Sequence, residues 1–168
     1  MAGSSLRCGL QGDFRGALDG IRDWSRLDFG ELNERLGAIL EDETAEAFKT
    51  STSPAGEEWP VSGRVEKMRA RRKPRANGKK VGKTLIQTAR LKNSIHTDAD
   101  DDQVVEGTDV VYARIHQFGG EAGRKDSRVT IPRRSFIPVT ADGTDIVPRV
   151  RERLTGEITE YLKEVSGL

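Results

Sequence analysis

The 168-residue sequence is poor in the residues that build most metal and cofactor sites. It contains one cysteine, Cys8, and two histidines, His96 and His116, which lie far apart in the chain. A single cysteine excludes an intrachain disulfide and a zinc site built on several cysteines. Neither histidine has an HxxxH or HxxE neighbourhood, so a metal site would need a chance encounter in the fold. We therefore expect no metal and no cofactor.

Catalytic signatures are also missing. The sequence has no Gly-x-Ser-x-Gly elbow, no Walker loop and no dinucleotide fingerprint. Glu57 and Glu58 are adjacent on a Pro/Gly-rich segment, which rarely holds the fixed separation of a glycosidase carboxylate pair. The acidic run 98–102 lacks the glycine and glutamate of a calcium loop, because Gln103 and Asp109 occupy those positions. We expect no enzymatic activity.

Long apolar runs and large side chains are scarce. Hydrophobic residues make up 35% of the chain, aromatic residues 5% and charged residues 33%. No run has the length of a membrane span, and the N-terminus lacks the apolar core of a signal peptide. We therefore expect folding in a reducing cytoplasm and no membrane partner. The modest core favours a subunit that completes its burial against other proteins.

Charge is distributed unevenly, although the formal net charge is only +1. Residues 28–58 are mainly acidic, whereas residues 64–83 are basic with Glu66 as their single acid. Such a split indicates partners rather than a fold. It would suit subunits that dock head to tail in a ring, acidic face to basic face, and it would equally suit a loop that faces DNA.

Helical patterns lie towards both ends of the chain. Asp13 begins a short amphipathic segment, and Asp28 is a good N-cap for a helix that runs to about Lys49. Asp145 is the predicted N-cap of the last helix, with Pro148 in its first turn. One apolar stripe follows that helix: Ile146, Val150, Leu154, Ile158, Leu162 and Val165.

Strand patterns occupy the centre. Segments 95–97 and 103–106 flank the acidic run and predict a hairpin. Asp109 is the predicted cap of a short helix that Gly119 and Gly120 end, and residues 128–131 form a plausible strand. Residues 88–94 fit either a helical turn or a strand entry. The predicted fold class is α+β, with N- and C-terminal helices packed on a small antiparallel β-sheet and one long basic loop.

The predicted organisation is a flexible arm over residues 1–12 and one domain over residues 13–168. Residues 51–83 hold three of the six prolines and have almost no apolar periodicity, which predicts a long loop. Its basic part could neutralise DNA phosphates without reading sequence. It has no aromatic residue for base stacking and no helical register for a groove. A loop that orders on a partner protein is the alternative, and we favour it.

Four segments, in order, carry a family resemblance. They are Phe48 followed by SPAGEEWP at 53–60, LIQTARLKNSI at 85–95, VEGT with YARIHQFGG over 105–120, and IPRRSFI at 131–137. Together they resemble the virion morphogenesis (tail completion) family of Mu-like tailed phages. The chain departs from that pattern at Ala89, where the family usually has glycine, and at Ala55, where aspartate is common.

The resemblance implies a structural virion protein that forms a ring, expected to be hexameric, at the head–tail neck or the tail end. Tail completion, tail termination and head–tail joining are the roles it implies. The implied partners are the tail tube, the head connector and non-specific DNA passing through the lumen. The implied location is the virion, after assembly in the host cytoplasm. A small nucleic-acid-binding protein that uses residues 64–83 is the alternative.

The resemblance also suggests where subunit or partner contacts lie, with Trp59 pinning the start of the long loop. Packing alone would account for Tyr112, Ile115 and Phe118, and we favour core positions for them. The predicted contact residues are Trp59, Arg69, Arg71, Arg72, Lys73, Arg75, Lys79, Lys80, His116, Gln117, Phe118, Arg133, Arg134 and Phe136.

Overall fold

The computed structural model describes residues 27–71 and 83–166. Its longest element is helix α1, Phe29–Thr50. The Asp28 carboxylate caps it by accepting a 3.0 Å hydrogen bond from the Glu31 N–H. The helix ends at Ser51, which has φ 62° and donates its N–H to the Ala47 carbonyl. The predicted N-cap and extent of this helix are confirmed.

The C-terminal helix, named α5 here, spans Pro148–Ser166 and packs against α1. Pro148 is its first residue, as predicted, but Asp145 lies too early to be the N-cap and instead accepts from the Ile146 N–H. The apolar stripe also shifts near its end. Tyr161 is buried because its hydroxyl bonds the backbone of Asp28, whereas Leu162 is exposed.

Two antiparallel hairpins supply the β-structure. Strands β1, Ile95–Ala99, and β2, Val104–Thr108, pair in the first hairpin, which confirms the predicted strands on either side of the acidic run. The hairpin packs closely on α1, since a Cβ on Gly37 would lie 3.2 Å from Thr97 Cγ2. The α+β class is therefore confirmed.

The second hairpin pairs β3, Gly120–Arg124, with β4, Ser127–Ile131. The sequence predicted β4 but missed β3, because a GEAGR segment contains no β-branched residue and two glycines. Among the described residues the two hairpins form separate two-stranded sheets, where the sequence had suggested one small sheet.

A helix also lies inside the segment that was predicted as a loop. Helix α2 spans Gly63–Arg71, so the prediction of a continuous loop over 51–83 was wrong there. The missed signal is Ser62, whose hydroxyl accepts a 3.4 Å hydrogen bond from the Val65 N–H in the manner of an N-cap. The predicted arm, the segment starting at Asp13 and residues 72–82 lie outside the described residues.

Two short helices complete the chain. Helix α3, Arg90–Asn93, follows Ala89, which has φ 57°. Glycine adopts that angle without strain, so the departure from the family pattern at Ala89 falls where glycine fits best. Helix α4, Ala113–Phe118, ends at Gly119 with φ 76°, and Tyr112 rather than Asp109 precedes it. Asp109 is therefore not its cap.

The core has two parts. The first joins α1 and α5 through Ile39, Val147, Val150 and Leu154. The second surrounds Phe48, whose ring centroid lies 5.4 Å from those of Trp59 and Phe136. Its other buried members are Ala47, Leu91, Val110 and Ala113. The second core is therefore built from all four segments that carry the family resemblance. In the described ranges, no helix is both long and apolar enough to cross a membrane.

Candidate partner interface

Helix α4 carries the YARIHQF part of the third segment and has two contrasting sides. Ala113 and Gln117, one helical turn apart, are buried against the core. Phe118 is 41% exposed, and Val111, two residues before the helix, is 95% exposed. The helix therefore belongs partly to the core and partly to the surface.

Gln117 joins the third segment to the fourth. Its Oε1 accepts hydrogen bonds from the N–H groups of Phe136 at 2.9 Å and Ile137 at 3.1 Å. Its Nε2 donates to the Ile137 carbonyl at 3.0 Å. The amide thus satisfies three backbone groups that have no strand partner. Few types of side chain can replace this amide, because the group must both donate and accept hydrogen bonds.

Further hydrogen bonds hold the fourth segment on its other side. Arg134 donates its backbone N–H to the His116 carbonyl and its Nε to the Pro60 carbonyl, both at 2.7 Å. The Trp59 indole N–H donates to the Ser135 carbonyl at 2.9 Å. The first, third and fourth segments are therefore tied together by buried polar contacts. We call these contacts and those of Gln117 the Gln117 network.

The Gln117 network determines where several predicted contact residues lie. Trp59, Gln117, Arg134 and Phe136 are each at most 6% exposed, so they support the subunit from inside. Burial lowers the pKa of Arg134. Arg133 is half-buried at the edge of this network, where its Nε donates to the Gln117 carbonyl at 3.3 Å.

Seven of the predicted contact residues fall in the basic segment. Arg69 is exposed on α2, and Arg71 is the last residue of that helix. The structure does not describe five of the basic residues: Arg72, Lys73, Arg75, Lys79 and Lys80.

An open groove of about 560 Å³ lies on the exposed side of α4. Val111, Ile115 and Phe118 supply its apolar lining, and we call these three residues the outward surface. The expectation that Tyr112 and Phe118 are core residues was wrong, since both are more than 40% exposed. The polar and glycine lining completes the groove: Arg114, Gly119, Gly120, Glu121, Asp142 and Gly143.

His116 is part of α4, and its side chain lines a second groove of about 380 Å³. Its ring packs edge-on against Tyr112, with centroids 6.0 Å apart. Its Nδ1 is buried and has no hydrogen-bond partner among the described residues. Burial lowers the pKa of His116, and the nearby Arg134 guanidinium lowers it further. The imidazole is therefore neutral near pH 7, which argues against a role as a charged contact.

Sequence reasoning missed one buried ionisable group, Glu106. Both of its carboxylate oxygens are buried without a hydrogen-bond partner in the described part of the chain. Burial raises its pKa to about 7, and the charge of Glu41 acts in the same direction. Period-2 alternation along β2 was the available signal, because it puts Glu106 on the same side as Val104 and Thr108.

Across residues 27–71 and 83–166, no three His, Cys, Asp or Glu side chains come close enough to hold a metal ion. The described residues present an open groove with three apolar side chains in its lining, beside an exposed hairpin and outside the hydrogen bonds of the Gln117 network.

Comparison with known proteins identifies the family to which this chain is similar. The model of the phage virion morphogenesis family matches residues 13–162. The chain is also similar to Mu-like prophage FluMu G protein 2 of Haemophilus influenzae. The two are 33% identical over 122 residues, which cover 72% of this chain and 75% of that protein. No solved structure shows significant similarity.

Proposed function

The chain belongs to the phage virion morphogenesis family and has a role in virion assembly, and we propose that it forms a ring at the head–tail neck or the tail end. In this role it completes the tail or joins it to the head. The tail tube and the head connector are its protein partners. DNA passes through the lumen of the ring without sequence reading.

The family match over residues 13–162 is the observation that carries this proposal. It spans α1 to most of α5, including every segment that builds the second core. An enzymatic role has no support in the geometry described above. A structural role suits this chain, because most of its motif residues form the core and the hydrogen bonds that hold the subunit together.

Self-association is supported by the outward surface. Val111 is 95% exposed and lines the groove together with Ile115 and Phe118. Covering Val111 and the exposed part of Phe118 would stabilise a contact by roughly 1.5–3 kcal/mol per fully buried side chain. Exposed apolar surface gathered around a groove is typical of protein–protein contacts.

The β3–β4 hairpin extends from the same groove, which it enters at Gly120 and Glu121. Most of its residues are exposed, including Val129 at 58%. A two-stranded hairpin is marginally stable alone, and its open edges can pair with another strand. A neighbouring subunit that covers the groove would therefore also stabilise this hairpin.

A second candidate is nucleic-acid binding through the basic segment. One observation favours it, since α2 presents Lys67 and Arg69 on an exposed face. Backbone phosphates would be contacted by such residues regardless of base sequence. Salt dependence therefore distinguishes this candidate from an assembly driven by the apolar groove.

Mass in solution tests the proposal. Light scattering on the purified full chain, alone and with tail tubes or connectors added, should give a closed ring or assembly at a tail end. A duplex DNA titration at low and high salt is run in parallel. A chain that stays monomeric, ignores virion parts and binds DNA tightly with steep salt dependence would instead establish the nucleic-acid role.

A further inference from the structure

We propose that the basic face of α2 in one subunit binds the acidic β1–β2 turn of a second copy of the chain, head to tail. This inference rests on the proposed ring and specifies one contact within it. Each subunit would offer its basic face to one neighbour and its acidic turn to the other. A contact of this kind closes into a ring when the rotation per subunit divides a full turn.

What we call the basic face is the exposed surface of α2, on which Lys67 and Arg69 project to either side of Met68. Val65 is 1% exposed and anchors the helix, whereas residues 66–70 are all exposed. Lys67 and Arg69 form no ion pair with a carboxylate in the part of the chain that the structure describes. Met68 between them is 44% exposed. The face therefore combines positive charge with an adaptable apolar side chain.

The acidic turn joins β1 to β2, and together with the last two residues of β1 it forms an exposed acidic end of the hairpin over residues 98–103. Asp100 shapes the turn, because its Oδ1 accepts from the N–H groups of Asp102 and Gln103, both at 2.8 Å. Asp102 lies in this turn, and Asp98 lies next to it at the end of β1, where its carboxylate is 3.9 Å from His96 Nε2. The turn is thus a fixed scaffold for negative charge.

The two elements lie at opposite ends of α1. The acidic turn is held at the start of the helix, where Asn33 Nδ2 donates to the Asp100 carbonyl at 2.6 Å. The basic helix is held at the far end, where Lys83 Nζ donates to the Lys49 carbonyl at 2.5 Å. Arg64 Nη2 in turn donates to the Lys83 carbonyl at 3.1 Å. A helix of 22 residues is about 33 Å long.

That separation prevents the two charged elements from meeting within one chain. It exceeds the screening length of about 8 Å at physiological salt several times over, so they do not neutralise each other at a distance. Two copies can satisfy both charges, because the basic end of one faces the acidic end of the next. Charge complementarity of this kind fixes the orientation and register of a contact.

Charge reversal tests the contact on the full-length protein. Lys67→Glu with Arg69→Glu gives one variant, and Asp98→Lys with Asp102→Lys gives the other. Each alone should lose the ring and scatter light as a single chain. An equimolar mixture should regain it, because alternating subunits restore opposite charges at every contact. A chain that carries all four changes should also regain it.

The matched controls change net charge equally at exposed sites elsewhere. Glu152→Lys with Glu160→Lys on α5 copies the change in the acidic turn. Arg90→Glu with Lys163→Glu copies the change on α2. Both controls should keep the ring. Circular dichroism and a denaturant midpoint for every variant separate a lost contact from a lost fold.

The outcomes distinguish this inference from the proposed function. A wild-type ring that survives both reversals, or a mixture that does not reassemble, would overturn the contact and leave the ring standing. A wild-type chain that remains monomeric at low salt, with or without virion parts, would overturn both. If the α2 reversal removes DNA binding and leaves the ring unchanged, the basic face serves DNA and the inference is wrong.

Discussion

The inner side of α4 is buried and hydrogen-bonded, whereas its outer side is exposed and partly apolar. On the inner side, Gln117 has every polar atom paired and lies against a ring, Phe136, that is fully buried. On the outer side, Val111 and Phe118 are left in water beside an open groove. One short motif therefore supplies both a fold determinant and a surface for association.

In the ring that we propose, a motif residue need not touch a partner to matter for assembly. Residues of the Gln117 network hold the helix whose other side forms the outward surface. Substitution on the inner side should therefore change the stability of the subunit. Substitution on the outer side should change association and leave the subunit folded. The predictions below separate these two classes.

The largest expected effect is on the inner side, at Phe136. Phe136→Ala removes a ring that is 0% exposed and leaves a cavity against Phe48. We expect a loss of about 3–5 kcal/mol in the free energy of unfolding. Phe118→Ala is the matched outer control and should cost about 1 kcal/mol, because much of that ring is already in water. Equal losses in urea unfolding would contradict the division of α4 into two sides.

Glu106 sharpens the comparison, because it is buried without the hydrogen bonds that Gln117 has. Its pKa is about 7 in the folded chain and 4.5 when exposed, so folding takes up a proton between those pH values. Stability should therefore fall as pH rises from about 4.5 to 7 and level off above that. The loss has an upper bound of about 3.5 kcal/mol, at about 1.4 kcal/mol per pKa unit.

Glu106→Gln provides the control for this pH dependence. The amide cannot ionise, so the variant should lose that part of the pH dependence of unfolding. At pH 8 it should be more stable than the wild type, because the wild type must then bury a charge or open the seam between β2 and α1. Parallel unfolding curves at all pH values would show that Glu106 is not buried as described.

Gln117→Met should come next in size. The thioether fills a similar volume but cannot serve the N–H groups of Phe136 and Ile137 or the Ile137 carbonyl. The Ile137 carbonyl still accepts from the Val139 N–H, but the two N–H groups lose their acceptor. Leaving them unpaired costs about 1–3 kcal/mol. Gln87→Met, at an exposed glutamine, should change stability by no more than about 0.5 kcal/mol. If the Gln117 variant is as stable as this control, the Gln117 network does not stabilise the fold.

The fold was predictable where local chemistry decided the outcome. The Asp28 cap, the apolar spacing of α1 and the acidic run between β1 and β2 each act over a few residues. Prediction failed where tertiary contacts determine which residues are buried. Tyr161 displaced Leu162 from the buried stripe because its hydroxyl reaches the backbone of Asp28, a partner 133 positions away.

The candidate site was predictable as a set of segments but not as a surface. The resemblance identified the right stretches of chain, yet hydrophobicity assigned Phe118 to the core and left Gln117 as a contact. No periodic pattern reveals that a glutamine bonds three backbone groups across 20 residues. The β3 strand, which borders the groove, had too little β-propensity to be recognised.

The smallest effect on stability, and the sharpest test of the comparison, belongs to Val111. Val111→Ser exchanges a side chain that is 95% exposed, so the free energy of unfolding should move by less than about 0.5 kcal/mol. Association should nevertheless weaken, because a hydroxyl cannot replace apolar contact in the groove of a neighbour. Val105→Ser, at another exposed valine on β2, is the matched control and should assemble normally. If both variants form rings at the same protein concentration in light scattering, the outward surface does not contribute to assembly, and the ring must be held elsewhere.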